Sequence, residues 1–245
     1  ESVPASGAAR RPQMRGAVTG VSAEQIDAVA DLLASAAHPV IFAQHGAGSA
    51  EAFAALSRLK QAWGIPVCQY WAVELALPTT HPMATGPDPR ALLEQADVVL
   101  CLDALAPWAP AQIEPREDAT VIQIGPRPLQ DRSGVRNFRC DLGLTTELAP
   151  AILALEAALS ARLADRQSRI ESRKRDVAAA NLANRTARIG AAEADVNSAA
   201  LTKRWISHTL SLKLRDRDAT VFSELGCQLP FMTLDKHQSW FDGPH

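Results

Sequence analysis

Short apolar runs, each separated from the next by a helical pattern or a glycine-rich turn, constrain this chain more than any other feature. Val40-Ile41-Phe42-Ala43, Ile65-Pro66-Val67-Cys68, Asp97 to Leu102 and Thr120 to Ile124 are too short for buried helices and are rich in β-branched residues. Between them lie amphipathic patterns with recognisable ends. Ser22 and Gln25 fit a capping box, and Ile26, Val29, Ala30 and Leu33 follow at helical spacing. Ser49 can cap a second helix carrying Phe53, Leu56 and Leu59 and ending near Gly64. Asp88-Pro89 opens a third, with Leu92, Leu93 and Ala96, and Leu148, Ile152, Leu155 and Leu159 mark a closing one. Continuously apolar strands alternating with such helices predict a parallel sheet buried on both faces. Residues 21–160 are therefore expected to form a doubly wound, Rossmann-like α/β domain, with Phe138-Arg139-Cys140 as a short fifth strand.

The flanks differ in character. Residues 1–20 are rich in Pro, Gly, Ala and Arg, as a linker would be. In 161–196 the basic residues Arg162, Arg166, Arg169, Arg173, Lys174 and Arg175 alternate with Asp165, Glu171 and Asp176. Mixed charge at helical spacing reads as a charged helical linker with a solvated face, and a partner-binding surface is the alternative. In 197–245, Asn197-Ser198 is expected to start a helix with Leu201, Trp205, Ile206 and Leu210 on one face. Asp218 to Phe222 then reads as the opening strand of a second, incomplete α/β domain. Neither Glu1 nor His245 resembles a natural boundary, so a piece of a longer protein is expected.

Composition narrows the function classes. The 25 basic and 27 acidic residues leave a net charge of −2, with no electrostatic footprint for nucleic acid. No apolar run approaches the roughly 20 residues of a membrane helix. Cys68, Cys101, Cys140 and Cys227 match no zinc or redox spacing and suit a reducing compartment, the cytoplasm by default.

Few motifs carry chemistry. Gly46-Ala47-Gly48 resembles a dinucleotide turn, but Glu51 occupies the third position, so a tight turn with a Ser49 cap is the preferred reading. His45 lies where α/β folds bind ligands, without a placed partner, and His81 reads as structural or exposed. No G-x-S-x-G elbow and no metal-ligand spacing occurs. Ser223-Glu224-Leu225-Gly226-Cys227-Gln228 follows a strand directly, and Gly226 permits close backbone approach to an anionic group. Trp240 and Phe241 could wall an apolar pocket beside it.

The ordered set His38-Pro39-Val40-Ile41, Gly46 to Ser49, Ile65-Pro66-Val67, His81-Pro82, Gly86, Ala96 to Leu100 and Val121 to Ile124 resembles the central domain of thiamine-diphosphate-dependent enzymes. Acetolactate synthase, benzoylformate decarboxylase and pyruvate oxidase are of this kind. The resemblance implies an enzyme of the 2-oxo acid synthase or decarboxylase class, with thiamine diphosphate and Mg2+ as cofactors and a homodimeric or homotetrameric assembly. It also implies that the central domain is mainly structural and that this stretch alone is inactive. Glu224, Gly226, Cys227 and Gln228 match the loop that approaches the cofactor's diphosphate, although relatives carry Gln-His where this chain has Cys227-Gln228. The cofactor's thiazolium carbon would attack a 2-oxo acid carbonyl, and its ring would then accept electrons during decarboxylation. Acetolactate synthases also bind FAD in this domain, whereas Gly125-Pro126-Arg127-Pro128 here replaces an expected acidic residue and argues against it. The alternative is a free-standing nucleotide-binding α/β module for FAD or NAD.

Overall fold

The computed structural model describes residues 20–129, 138–163, 166–198, 200–224 and 226–243, so the expected linker lies almost wholly outside the described residues, as does Asp165. The chain runs α1 (Ala23–Ser35), β1 (Pro39–Ala43), α2 (Ala50–Trp63), β2 (Val67–Cys68), β3 (Ala84–Gly86), α3 (Arg90–Leu93), β4 (Val98–Leu102), β5 (Thr120–Gly125), β6 (Leu142–Thr145) and α4 (Leu148–Ser160). Six parallel strands form one sheet in the order β3-β2-β1-β4-β5-β6, the doubly wound arrangement.

Side chains alternate along the central strands, and both faces are buried. Ile41, Leu100, Leu102, Ile122 and Ile124 pack under the apolar faces of α1, α2 and α4. Val40, Phe42, Val99, Cys101 and Val121 point the other way, onto Leu93 of α3 and Trp108. Phe42 and Phe138 both meet the Trp108 ring edge-on, at 5.7 and 5.4 Å. The second face is thus closed largely by irregular chain rather than by long helices.

Local chemistry fixes the ends of these elements. The capping box at Ser22 and Gln25 is present, with the Gln25 amide donating to Ser22 Oγ. Ser49 accepts from the Ala52 amide at the start of α2, and Gly64 ends that helix in the left-handed conformation, φ +62°. The Asp97 carboxylate does not extend β4. It accepts from the Ala37 and His38 amides and fastens the turn between α1 and β1.

Several expectations are corrected. Phe138-Arg139-Cys140 is not a strand; the sheet edge is β6, a few residues later. β3 has no apolar run to mark it in the sequence. Pro89 precedes a single helical turn instead of occupying the first position of a longer helix.

Beyond α4, α5 (Gln167–Ala194) is one 28-residue helix, followed by a 3-10 turn at Asp195–Asn197 and α6 (Lys203–Leu214). Helix α6 therefore begins at Lys203, capped by Thr202, and not at Asn197. Its buried positions are Ser207 and Ser211, while Leu201 and Ile206 are exposed.

Helix α5 is not simply a solvated spacer. Arg169 donates to the Ala34 and Ser35 carbonyls at the end of α1. Arg173 donates to Trp63 and Gly64 at 2.6 and 3.1 Å, and to Ala36 and Ala37. Last-turn carbonyls have no partner inside their own helix and carry partial negative charge, so a guanidinium satisfies both needs. Burial and the neighbouring Arg169 pull the Arg173 pKa down to about 10, which leaves it charged at neutral pH. The approach is close: a Cβ on Gly64 would lie 2.7 Å from Lys174 Cγ and 3.0 Å from its backbone nitrogen.

Candidate functional site

Val221 and Ser223 of β7 (Val221–Ser223) point inward while Phe222 points out, the period-two alternation of a strand. β8 (Trp240–Asp242) pairs with it in parallel, giving a second, two-stranded sheet. Phe222 and Phe241 stack on its outer side at 5.2 Å. Trp240 turns inward, and its indole N–H donates to the Ala72 carbonyl at 3.2 Å. The Asp242 amide donates to the Val73 carbonyl, and Thr79 exchanges hydrogen bonds with Leu234. The small sheet is thereby fastened to the segment between β2 and β3.

A cavity of about 420 Å³ opens between these parts. Gln69 and Trp71 line it from the carboxyl end of β2, Gly86 from β3, Arg185 and Arg188 from α5, and residues 227–231 from the segment joining β7 to β8. Trp71 sits at the rim in the left-handed region, φ +49°, with its ring stacked on Tyr70. The Gln69 side chain accepts from the Ala76 amide, which holds the β2–β3 segment in shape.

Of the four residues singled out by sequence, Cys227 and Gln228 reach this cavity, whereas Glu224 and Gly226 do not line it. The Cys227 carbonyl accepts from Ser223 Oγ, and the Gln228 amide donates to Ser207 Oγ of α6 at 2.8 Å. Gly226 is exposed, and nothing lies within 4 Å of where its Cβ would be, so its backbone is open to a bulky group. Trp240 lines the cavity as expected, while Phe241 does not. Arg185 and Arg188 were missed. Their signal was available: from Val177 to Ala192 they are the only charged residues, in a helix whose other charges cluster near its two ends.

The crevice at the carboxyl ends of β1 and β4, where doubly wound folds bind nucleotides, is occupied by protein groups. Gln44 Oε1 accepts from the Leu105 and Ala106 amides, and the Gln44 carbonyl accepts from Val73 and Glu74. The Gly46-Ala47-Gly48 turn serves packing: a Gly46 Cβ would lie 2.7 Å from Glu74 Oε2, and a Gly48 Cβ 3.1 Å from the Ala149 nitrogen of α4. His45 Nδ1 donates to the Asp103 carbonyl at 2.5 Å, with the Asp103 carboxylate at 3.6 Å. Burial raises the pKa of both Glu74 and Asp103.

His81 acts as a strut. Its Nδ1 accepts from the Met83 amide, so Nε2 carries the proton and donates to the Ser57 carbonyl at 3.1 Å. Burial, with Lys60 beside it, depresses its pKa to about 4. The folded state thus binds its proton less readily than the unfolded one, whose pKa is near 6.5. The His81 contribution is complete above pH 6.5 and is lost as pH falls toward 4, about 2 kcal/mol after allowance for partial exposure. Urea unfolding at pH 7 and pH 4.5 should show this loss in the wild type, and His81→Gln should lack it.

No helix among the described residues is long and apolar enough to cross a membrane. The described residues contain no group of three or more His, Cys, Asp or Glu able to hold a metal.

A family profile described as "Thiamine pyrophosphate enzyme, central domain" matches residues 26–155. Sulfoacetaldehyde acetyltransferase from Rhodobacter capsulatus is 32% identical over 162 residues, which cover 61% of this chain and 27% of that protein. In fold, the chain is similar to a Mycobacterium smegmatis protein assigned as a thiamin diphosphate-dependent enzyme. There the TM-score is 0.63 at 19% identity, covering 94% of this chain and 43% of the other. Benzoylformate decarboxylase from Polynucleobacter necessarius gives a TM-score of 0.61 at 12% identity, covering 99% and 43%. The chain therefore spans about a quarter of the curated relative it matches and under half of the solved ones.

Proposed function

The chain belongs to the thiamine pyrophosphate enzyme family through its central domain, and on that premise we propose that it serves a thiamine-diphosphate-dependent synthase or decarboxylase acting on a 2-oxo acid. In this reading 21–160 is the central domain and 161–196 the linker. Residues 197–245 begin the diphosphate-binding domain, and the catalytic machinery lies in flanking segments. A cytoplasmic location and a homodimeric or homotetrameric assembly belong to the same proposal.

The observation that carries it is the loop after β7, which leaves the carboxyl end of a parallel strand with an open backbone at Gly226. That geometry fits an approaching diphosphate, because peptide N–H groups at a strand end can meet oxyanions directly. Gly226 would admit the group, and Cys227 and Gln228 would form the adjoining wall, with Glu224 at the loop's entrance. When bound, thiamine diphosphate supplies a nucleophilic carbon and an electron sink for decarboxylation. Magnesium ligands would come from outside the described residues. The six-stranded domain would orient the β2–β3 segment against the loop and exclude water from that side of the cleft.

Calorimetric titration with Mg2+ and thiamine diphosphate tests this reading. Binding no tighter than about millimolar is expected for the present chain, and about micromolar binding for a longer chain carrying the proposed flanking domains. Gly226→Val in the longer chain should weaken binding at least about tenfold. Tight binding to the present chain, or an unaltered constant for Gly226→Val, would overturn it.

A further inference from the structure

The geometry points to a binding site for a tetrahedral oxyanion, the phosphate or sulfonate end of a small organic ligand, between Arg185 and Arg188 in the cavity under α5. This goes beyond the cofactor reading and does not depend on it.

The two arginines stand three residues apart on one helix, so their side chains leave neighbouring positions on one face. Both line the cavity and both are half-buried. Neither makes an ion pair with a carboxylate among the described residues. Other arginines of the chain find partners: Arg58, Arg139, Arg162 and Arg204 pair with Glu or Asp, and Arg169 and Arg173 with helix-end carbonyls. Arg185 is held in place by Thr233 Oγ1 at 2.7 Å and, more weakly, by the Met232 carbonyl. Arg188 has a buried Nε without any hydrogen-bond partner. Burial lowers the pKa of both, and for Arg185 the charge of Arg188 adds to this. Two adjacent, partly dehydrated cations with unused donors make an arrangement that an anion would relieve.

Gly86 shapes the site. It adopts φ +83°, and a Cβ there would lie 2.7 Å from Arg188 Nη1 and 3.2 Å from Cζ and Nη2. The missing side chain is the space in which the guanidinium lies. Asp242 also lines the cavity, and its carboxylate accepts from the Gly243 amide.

The donor set selects the head group. One guanidinium fork already satisfies the two oxygens of a carboxylate, whereas a group with three terminal oxygens can engage two forks at once. Trp71, Leu229, Phe231 and Trp240 provide apolar walls for the rest of a small ligand.

Isothermal titration of the present chain at constant ionic strength tests this, using inorganic phosphate, methanesulfonate and acetate as probes. These probes report weak, about millimolar binding that depends on Arg188, whereas the cofactor reading is tested by about micromolar binding that depends on Gly226 in the longer chain, so either can fail without the other. Phosphate or methanesulfonate should bind at least about tenfold more tightly than acetate, and the tighter of the two identifies the head group. Arg188→Gln should weaken that binding about tenfold or more, and Arg188→Lys, which keeps the stem and charge, by an intermediate factor. Acetate binding equal to phosphate and methanesulfonate would overturn the proposal. So would binding by both variants within about twofold of wild type.

Discussion

Arg173→Ala is expected to lower the unfolding free energy by about 3 kcal/mol, although the residue belongs to none of the sheets. The guanidinium donates to the carbonyls of Trp63 and Gly64, which end α2, and of Ala36 and Ala37, which follow α1. Removing it leaves several partly buried acceptors without a donor and a negative helix end without a counter-charge. Hydrogen bonds from a charged donor are each worth about 1.5–3 kcal/mol, and because these share one donor group their sum falls well short of additive. Arg173→Lys keeps the charge but not the fork, so it should recover less than half of the loss. Urea denaturation reads the difference as a lower midpoint at unchanged slope. A shift under about 0.5 kcal/mol would mean that α5 does not clamp the helices it crosses.

Lys60→Met is expected to act in the opposite sense, raising stability at pH 7 by about 2 kcal/mol. Lys60 is fully buried in α2, and its Nζ has no hydrogen-bond partner. Burial drives its pKa well below 10.5, so folding opposes its protonation. The unfolded chain binds that proton more readily, and wild-type stability therefore rises with pH between the folded pKa and about 10.5. Methionine has similar volume and no charge to desolvate, so its advantage should be largest at the low end of that window and shrink toward its top. Parallel unfolding curves from pH 6 to pH 10 would reveal it. If the two proteins keep a constant gap across this range, the amine is hydrated or paired in solution.

The strands whose two faces are both buried were legible, because burial on both sides leaves an uninterrupted apolar run. β1, β4 and β5 follow this rule. β2 was legible too, from the run Ile65 to Cys68, although only Val67 and Cys68 pair, whereas β3 is three residues long with no apolar run to mark it. Edge strand β6 has one neighbour and a half-exposed face, and the apolar Phe138 that drew attention away from it packs on Trp108 instead. In α5 the charge spacing announced a helix, but which carbonyls its arginines meet depends on how α1 and α2 end. The apolar residues of α6 misled for a related reason: two serines face inward because loop amides need acceptors there. At the cavity, Cys227 and Gln228 were legible as residues following a strand. Arg185 and Arg188 are remote in sequence from that loop, and only the closure of α5 over β3 brings them to it.

Helix α5 also sets a rule for how this protein can change length. At about 1.5 Å per residue its 28 residues extend roughly 42 Å, with one pair of anchoring side chains near the start and another near the finish. Adding a single residue between them would swing the far pair by about 100°, out of register with its chamber, while the near pair stayed seated. Seven added residues, close to two full turns, would restore the orientation but carry the far pair about 10 Å along the axis. Insertions in related proteins should therefore collect in the coil around Trp108 and spare this rod, whose rotational phase and span are both fixed at its two ends.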